Sequence, residues 1–216
     1  MGYDEWDAQR DADEEAYADY LAYEYPNERH EGAIRYFLGV YGDAIDERLN
    51  RLQKDADHLI NLGMFGSALV LCATGIEIII KYFCVKPIVE GAFLSELWAS
   101  ELSSKIIGNR SSDQQKLLVF ILKPWGIDLE NITTGTNEPL WTVIRKRLLP
   151  NRQKVVHEGA TISEGEAVFS LQCFVAMRTK VVAEIAKRFG FILDKTGCWC
   201  HVDTGWTPKD PFLKKN

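Results

Sequence analysis

The run from Met64 to Val85 constrains this chain more than any other feature, because it is apolar almost throughout and long enough to cross a bilayer. Glu77 and Lys81 interrupt it, and Gly63, Gly66 and Gly75 dilute it. A carboxylate near the centre of a membrane span costs roughly 2.5 to 3.5 kcal/mol on insertion scales. The expected outcome is therefore a helix buried inside a protein core, with no membrane as partner. A chain of 216 residues with 46% hydrophobic and 26% charged residues suits one globular domain with decorated ends.

Charge is spread unevenly around that core. The net charge is −6, yet residues 1–31 hold eleven acids against Arg10 and Arg29. That acidic arm carries −9 and leaves +3 on the rest, so the body can approach an anionic partner such as RNA. Tyr17, Tyr20, Tyr23 and Tyr25 punctuate the arm, which reads as solvated and partly helical. The five cysteines, at 72, 84, 173, 198 and 200, are odd in number and irregular in spacing. They do not form a disulfide framework, and the acidic start is unlike a secretory or mitochondrial leader. A reducing cytoplasm is the expected setting.

Helical spacing dominates the remainder. Ile34, Phe37, Leu38, Tyr41, Ile45, Leu49, Leu52, Ala56 and Leu59 recur every three or four residues, predicting a long first helix from Gly32. After Gly63 and Gly66 a second helix buries Leu69, Cys72, Ala73, Ile76, Ile79, Ile80 and Phe83 until Pro87 stops it. A third helix is expected over 94–107 and a fourth from Ser111, capped with Gln114, to Leu122. Residues 124–138 read as a loop, followed by a helix with Asn137 as cap and Pro139 in its first turn. Pro150 is expected to kink or restart that helix. Ser163 and Glu166 spell a capping box for the last helix, with Val168, Leu171, Val175, Val182, Ile185 and Phe189 facing inward. No run alternates long enough to predict a strand. The expected fold is all-α: an antiparallel bundle of four to five core helices over 32–190, with an acidic arm before it and an irregular tail over 191–216.

No Gly-rich phosphate loop, His-Glu-x-x-His, Gly-x-Ser-x-Gly or Cys-x-x-Cys pair is present. Cys198-Trp-Cys200-His201 clusters three soft ligands, but tetrahedral zinc needs a fourth, for which only Cys84 or His58 is available. No metal and no cofactor are expected.

Arg152-Gln-Lys-Val-Val-His157-Glu-Gly is a sharper signal. The unperturbed pKa of histidine lies nearest neutrality, so His157 can trade a proton with a ribose 2′-hydroxyl or a leaving oxygen. Arg152 can grip a phosphodiester and stabilise a pentacovalent transition state. Arg145, Lys146, Arg147 and Lys154 add cations that would gather a polyanion. Five positions on a helix rotate the chain by roughly 500°, which sets the two side chains about 140° apart. Either the helix frays near His157, or two chains each bring the motif to one cleft.

"FGSALVLCATGIEIIIKYF" followed by "NRQKVVHEG" and a closing amphipathic helix resembles the HEPN domains (higher eukaryotes and prokaryotes nucleotide-binding) over roughly residues 33–190. Their ribonuclease members carry an Arg-x4–6-His motif. The resemblance implies a dimerising helical bundle that cuts single-stranded RNA without metal, as toxins and antiviral-defence effectors do. Its partners would be RNA, a second copy of itself, and a cognate antitoxin or defence-system protein. It makes His157 the acid/base, Arg152 the phosphate binder and Glu77 the residue that orients Arg152, supported by Asn151 and Gln153. Gln153 departs from the Asn, Asp or His that usually follows the arginine. That departure keeps a rival reading open, a non-catalytic module that binds RNA, a nucleotide or a partner protein.

Overall fold

The computed structural model describes residues 12, 14–17, 25–87, 112–134, 138–193 and 199–201. Over these residues the chain is a helical bundle, as the periodicity predicts. Helix α1 (Tyr25–Asn61) begins inside the acidic arm, so residues 25–31 continue into the bundle without a break. Glu31 anchors that end by accepting a hydrogen bond from Arg188 Nη2 at 2.9 Å. Ile34, Phe37, Leu38, Leu49 and Ala56 form its buried stripe. Tyr41, assigned to that stripe from sequence, is 51% exposed.

Gly63 closes α1 in the left-handed conformation (φ 74°) that favours glycine. The chain then reverses into α2 (Phe65–Ile79), which continues through wide π-type turns over Ile80–Val85. Helix α2 packs along α1 and along the last long helix, α6 (Glu164–Ala176). The stretch Phe65–Val85 is long and apolar enough to cross a membrane, and most of it is buried inside the bundle. At Gly75 it comes near enough to α6 that any Cβ would overlap the ring of Phe174.

Helix α3 (Ser112–Leu122) ends where expected, in a short 3-10 turn (Lys123–Trp125) closed by left-handed Gly126. The Trp125 ring meets Phe189 edge-on, with centroids 5.1 Å apart. Helix α4 (Leu140–Val143), a π stretch (Ile144–Leu148) and α5 (Leu149–Glu158) then run on as one rod. Pro139 stands before the first helical turn instead of within it, in extended conformation and bridged to Thr133. The expected caps at Ser111 and Asn137, and the expected helix over 94–107, lie outside the described residues.

Pro150, expected to kink or restart its helix, lies in the first turn of α5 directly after a π stretch, and Pro87 is the last described residue of its own helix. A proline inside a helix removes a donor and crowds the carbonyl four residues back. Each of these two follows a π stretch that has ended two residues earlier. There Lys86 N–H reaches back to the Lys81 carbonyl and Leu149 N–H to the Ile144 carbonyl, five residues away. The widened turn gives the ring room, so Pro87 and Pro150 are themselves helical.

A third π stretch (Met177–Val182) joins α6 to α7 (Ala183–Arg188) and shifts the buried face. Val182, Ile185 and Phe189 are buried as predicted, but upstream the core residues are Ala167, Ser170 and Phe174. Val168 is exposed, while Leu171 and Val175 are only half-buried. A wide turn adds one residue to the helix, so a stripe extended backward at 3.6 residues per turn lands one position late.

The tail is not wholly irregular. Strands β1 (Phe191–Leu193) and β2 (Trp199–His201) pair antiparallel, with Ile192 opposite Cys200. Cys198 lies outside the described residues. Among the described residues, no group of three His, Cys, Asp or Glu side chains is placed to hold a metal.

Candidate active site around Arg152 and His157

Helix α5 carries the site and stays regular to its end. Gly159 takes the left-handed turn (φ 65°), and its N–H and that of Ala160 both close on the Lys154 carbonyl. His157 therefore sits on an intact helix, which removes fraying as a way to bring it round to Arg152. Forcing a Cβ into that turn costs about 1 to 2 kcal/mol, so glycine is the residue this cap needs.

Two neighbouring positions fix how α5 faces α2. Val155 packs where a Cβ on Gly66 would touch it at 3.4 Å, an ordinary contact distance. One turn earlier on the same face, Arg152 Nη1 lies 3.4 Å from Glu77 Oε1. The expected link between Glu77 and Arg152 is thus present as an ion pair between α5 and α2. Both side chains keep some exposure, 33% for Arg152 and 24% for Glu77, so the pair meets solvent. A pair at such a distance and exposure contributes on the order of 0.2 to 1 kcal/mol, which makes it a positioning device more than a source of stability. Arg152 Nε is buried without a hydrogen-bond acceptor, so the guanidinium is held by packing along one edge.

Burial raises the pKa of the Glu77 carboxyl above its ordinary 4.5, and the nearby Arg152 charge partly offsets that rise. A carboxyl whose pKa rises on folding favours the folded state when protonated. Its contribution is present below about 4.5 and is lost as pH climbs through the raised value. Carbon-13 NMR of the Glu77 carboxyl should report a midpoint above 4.5 that rises further in Arg152→Ala. A midpoint unmoved by that substitution would show that the two charges do not interact.

His157 is exposed on the last turn of α5 and makes no hydrogen bond or ion pair to another described residue. On a straight helix its direction differs from that of Arg152 by about 140°. Within one chain, then, Arg152 faces Glu77 while His157 faces outward.

The other residues singled out from sequence divide into two groups. Lys146, Gln153 and Lys154 are exposed, as is His157. Asn151 and Arg147 turn toward α6 instead. Arg147 donates to Glu166 through Nε at 2.9 Å and Nη2 at 2.6 Å, and its guanidinium lies 4.3 Å from the Phe169 ring centre. Asn151 Nδ2 adds a 3.3 Å bond to the same carboxylate. Arg147 is thereby committed to a structural clamp. Arg145 is half-buried, with its Nε lacking an acceptor, and burial lowers its pKa.

Sequence reading missed what Glu166 does. Ser163 caps α6 as expected, its Oγ accepting from Glu166 N–H at 3.3 Å, but the Glu166 side chain turns to Arg147 instead of returning to the cap. It also missed a second clamp, in which Arg178 donates to Asp46 at 3.0 Å and Gln53 at 2.7 Å and ties the π stretch after α6 to α1. No local spacing announces either pair. No protein-family model, curated protein or solved structure matches this chain.

Proposed function

We propose that this protein is a metal-independent endoribonuclease of HEPN type that cuts single-stranded RNA as a homodimer. The observation that carries the reading is the Arg152–Glu77 pair beside an exposed His157 at the end of an intact α5. A carboxylate that turns an arginine, and a histidine free to exchange protons with solvent, are the two parts that 2′-hydroxyl attack requires. Because one helix directs them apart, the working site takes Arg152 from one chain and His157 from its partner.

In that cleft the ribose 2′-oxygen attacks phosphorus and loses its proton to the neutral imidazole of His157. Charge builds on the equatorial oxygens, where Arg152 meets it. The bond to the 5′-oxygen breaks, and His157 supplies a proton to that leaving group. The products are a 2′,3′-cyclic phosphate and a free 5′-hydroxyl. Lys146 and Lys154 draw the RNA strand toward α5 by counterion release. Release of such activity in a cell would arrest growth, which fits a toxin or antiviral-defence effector held in check by a partner protein. We place it in the cytoplasm, where RNA is the available substrate.

The rival reading, a non-catalytic module that binds RNA, a nucleotide or a protein, draws on Gln153, which is exposed. Incubation with single-stranded RNA and with DNA of matching sequence separates the two. The ribonuclease reading expects RNA cut and DNA intact, and binding without turnover would favour the rival.

A further inference from the structure

A cleft of about 620 Å³ opens between α1 and the rod made of α6, its π extension and α7, and no described residue of α2 or α5 lines it. Its walls are mostly apolar, with Val175, Val182, Ala183, Ala186, Phe191 and Ile192 contributing. The sequence explains why space is left here. Ala183 and Ala186 are three positions apart on one face of α7, and their short side chains keep that wall low. After left-handed Gly190 the chain enters β1, which adds Ile192 to the wall, an apolar side chain 52% exposed. A dry cavity of about 150 Å³ accepts one benzene ring, so this cleft takes several such units, a chain or a ring system. Its volume falls within the roughly 300 to 1,000 Å³ of small-molecule sites.

The charges of the lining do not cancel. Arg178 is committed to α1 through Asp46 and Gln53, and that ion pair is neutral and mostly buried. Lys187 is the other charged residue of the lining. It is exposed, and its ammonium makes no hydrogen bond or ion pair to another described residue. Glu184, three positions before it, does not line the cleft and forms no ion pair with it. Two cations against one carboxylate leave the lining with one positive charge in excess. Lys187 follows Ala183 by four positions, so its ammonium stands on the same face of α7 as the two alanines. A cationic ligand would meet like charge there, whereas an anion with an apolar body would meet both features of the cleft.

We propose that this cleft binds a free amphipathic monoanion, a carboxylate on an apolar body, with its acid group at Lys187 and its body against Ala183, Ala186 and Ile192. The proposal goes beyond the ribonuclease reading and stands or falls without it. A ligand seated between α1 and α7 binds only the folded chain, so it raises the melting temperature by mass action.

Calorimetric titration of the full-length protein with octanoate and decanoate, both below micellar concentration, tests this. Decanoate should bind more tightly than octanoate, by roughly fourfold for each added methylene, and should raise the melting temperature. Decyltrimethylammonium, with the same chain and the opposite charge, should bind more weakly than decanoate, and Lys187→Glu should reverse that preference. Ala183→Trp fills the cleft and should lose decanoate binding, while its ligand-free melt matches the parent's because position 183 is exposed. No binding of either carboxylate, or full decanoate binding by Ala183→Trp, would overturn the cleft. Equal affinity for the two chain charges, or a preference unchanged in Lys187→Glu, would overturn the choice of an anion. A melting temperature lowered by decanoate would show it acting on the unfolded chain, and would also overturn the site. Phosphatidylglycerol vesicles that bind as tightly as decanoate would assign this face to a membrane surface and overturn the free ligand.

Discussion

Gly75→Ala is expected to destabilise the protein by about 1 to 3 kcal/mol, although alanine is the better helix former by about 1 kcal/mol. The two effects have opposite signs, and the packing decides between them. A Cβ at position 75 would overlap three ring carbons of Phe174, which is fully buried and has no free volume to yield. Gly66→Ala is the matched control on the same helix. There the new methyl would meet only Val155 at 3.4 Å, so stability should stay level or rise by a few tenths, on the order of 0.5 kcal/mol at most. Urea denaturation of both variants reads the difference. Combining Gly75→Ala with Phe174→Leu should recover part of the loss, because the two sites share one contact. Equal stability of the two alanine variants would mean that α2 and α6 do not approach as closely as described.

The second large effect is catalytic. His157→Ala is expected to slow RNA cutting by about 10²- to 10⁴-fold, the usual worth of a positioned acid/base group. Its melting temperature should match the wild type's, because His157 is exposed and holds no other described residue. His157→Asn, which keeps a polar side chain but cannot exchange a proton near neutrality, should be as slow as the alanine variant. Full activity in either variant would remove His157 from the chemistry. A fall in activity matched by a fall in stability would reassign it to structure.

The parts of this molecule legible from sequence are those where the physics is local. Gly63 and Gly159 mark helix ends because only glycine takes their left-handed turns cheaply. Ser163 marks a helix start because its hydroxyl can reach the N–H of Glu166 three residues on. Stripe residues such as Ile34, Leu38 and Leu49 were legible because 3.6-residue spacing puts them on one face. Reading failed at the π stretches. One extra residue per wide turn moved the buried face from Val168 and Leu171 to Ala167 and Ser170, and let Pro87 and Pro150 take helical positions. Nothing in a list of residues announces a wide turn. The strands Phe191–Leu193 and Trp199–His201 are too short for alternation to register.

The candidate site was legible in the same uneven way. The pairing of Arg152 with Glu77 was anticipated from a family resemblance, not from spacing, since the residues lie on different helices. Arg147 looked like one more cation for RNA, and only the fold brings it to Glu166. The divergence of Arg152 and His157 did follow from spacing. The regular end of α5 keeps that divergence, and on it rests our proposal of a second chain.

The central claim is that Arg152 of one chain and His157 of its partner act on one RNA phosphate. Mixing the Arg152→Ala and His157→Ala proteins tests it most directly, with single-stranded RNA cutting followed in EDTA. Each variant alone should be nearly inactive, whereas their mixture should regain cutting through dimers that hold one intact Arg152 and one intact His157 across the interface. A mixture as inactive as its components, although the wild type cuts RNA and the two variants exchange chains, would contradict the shared cleft.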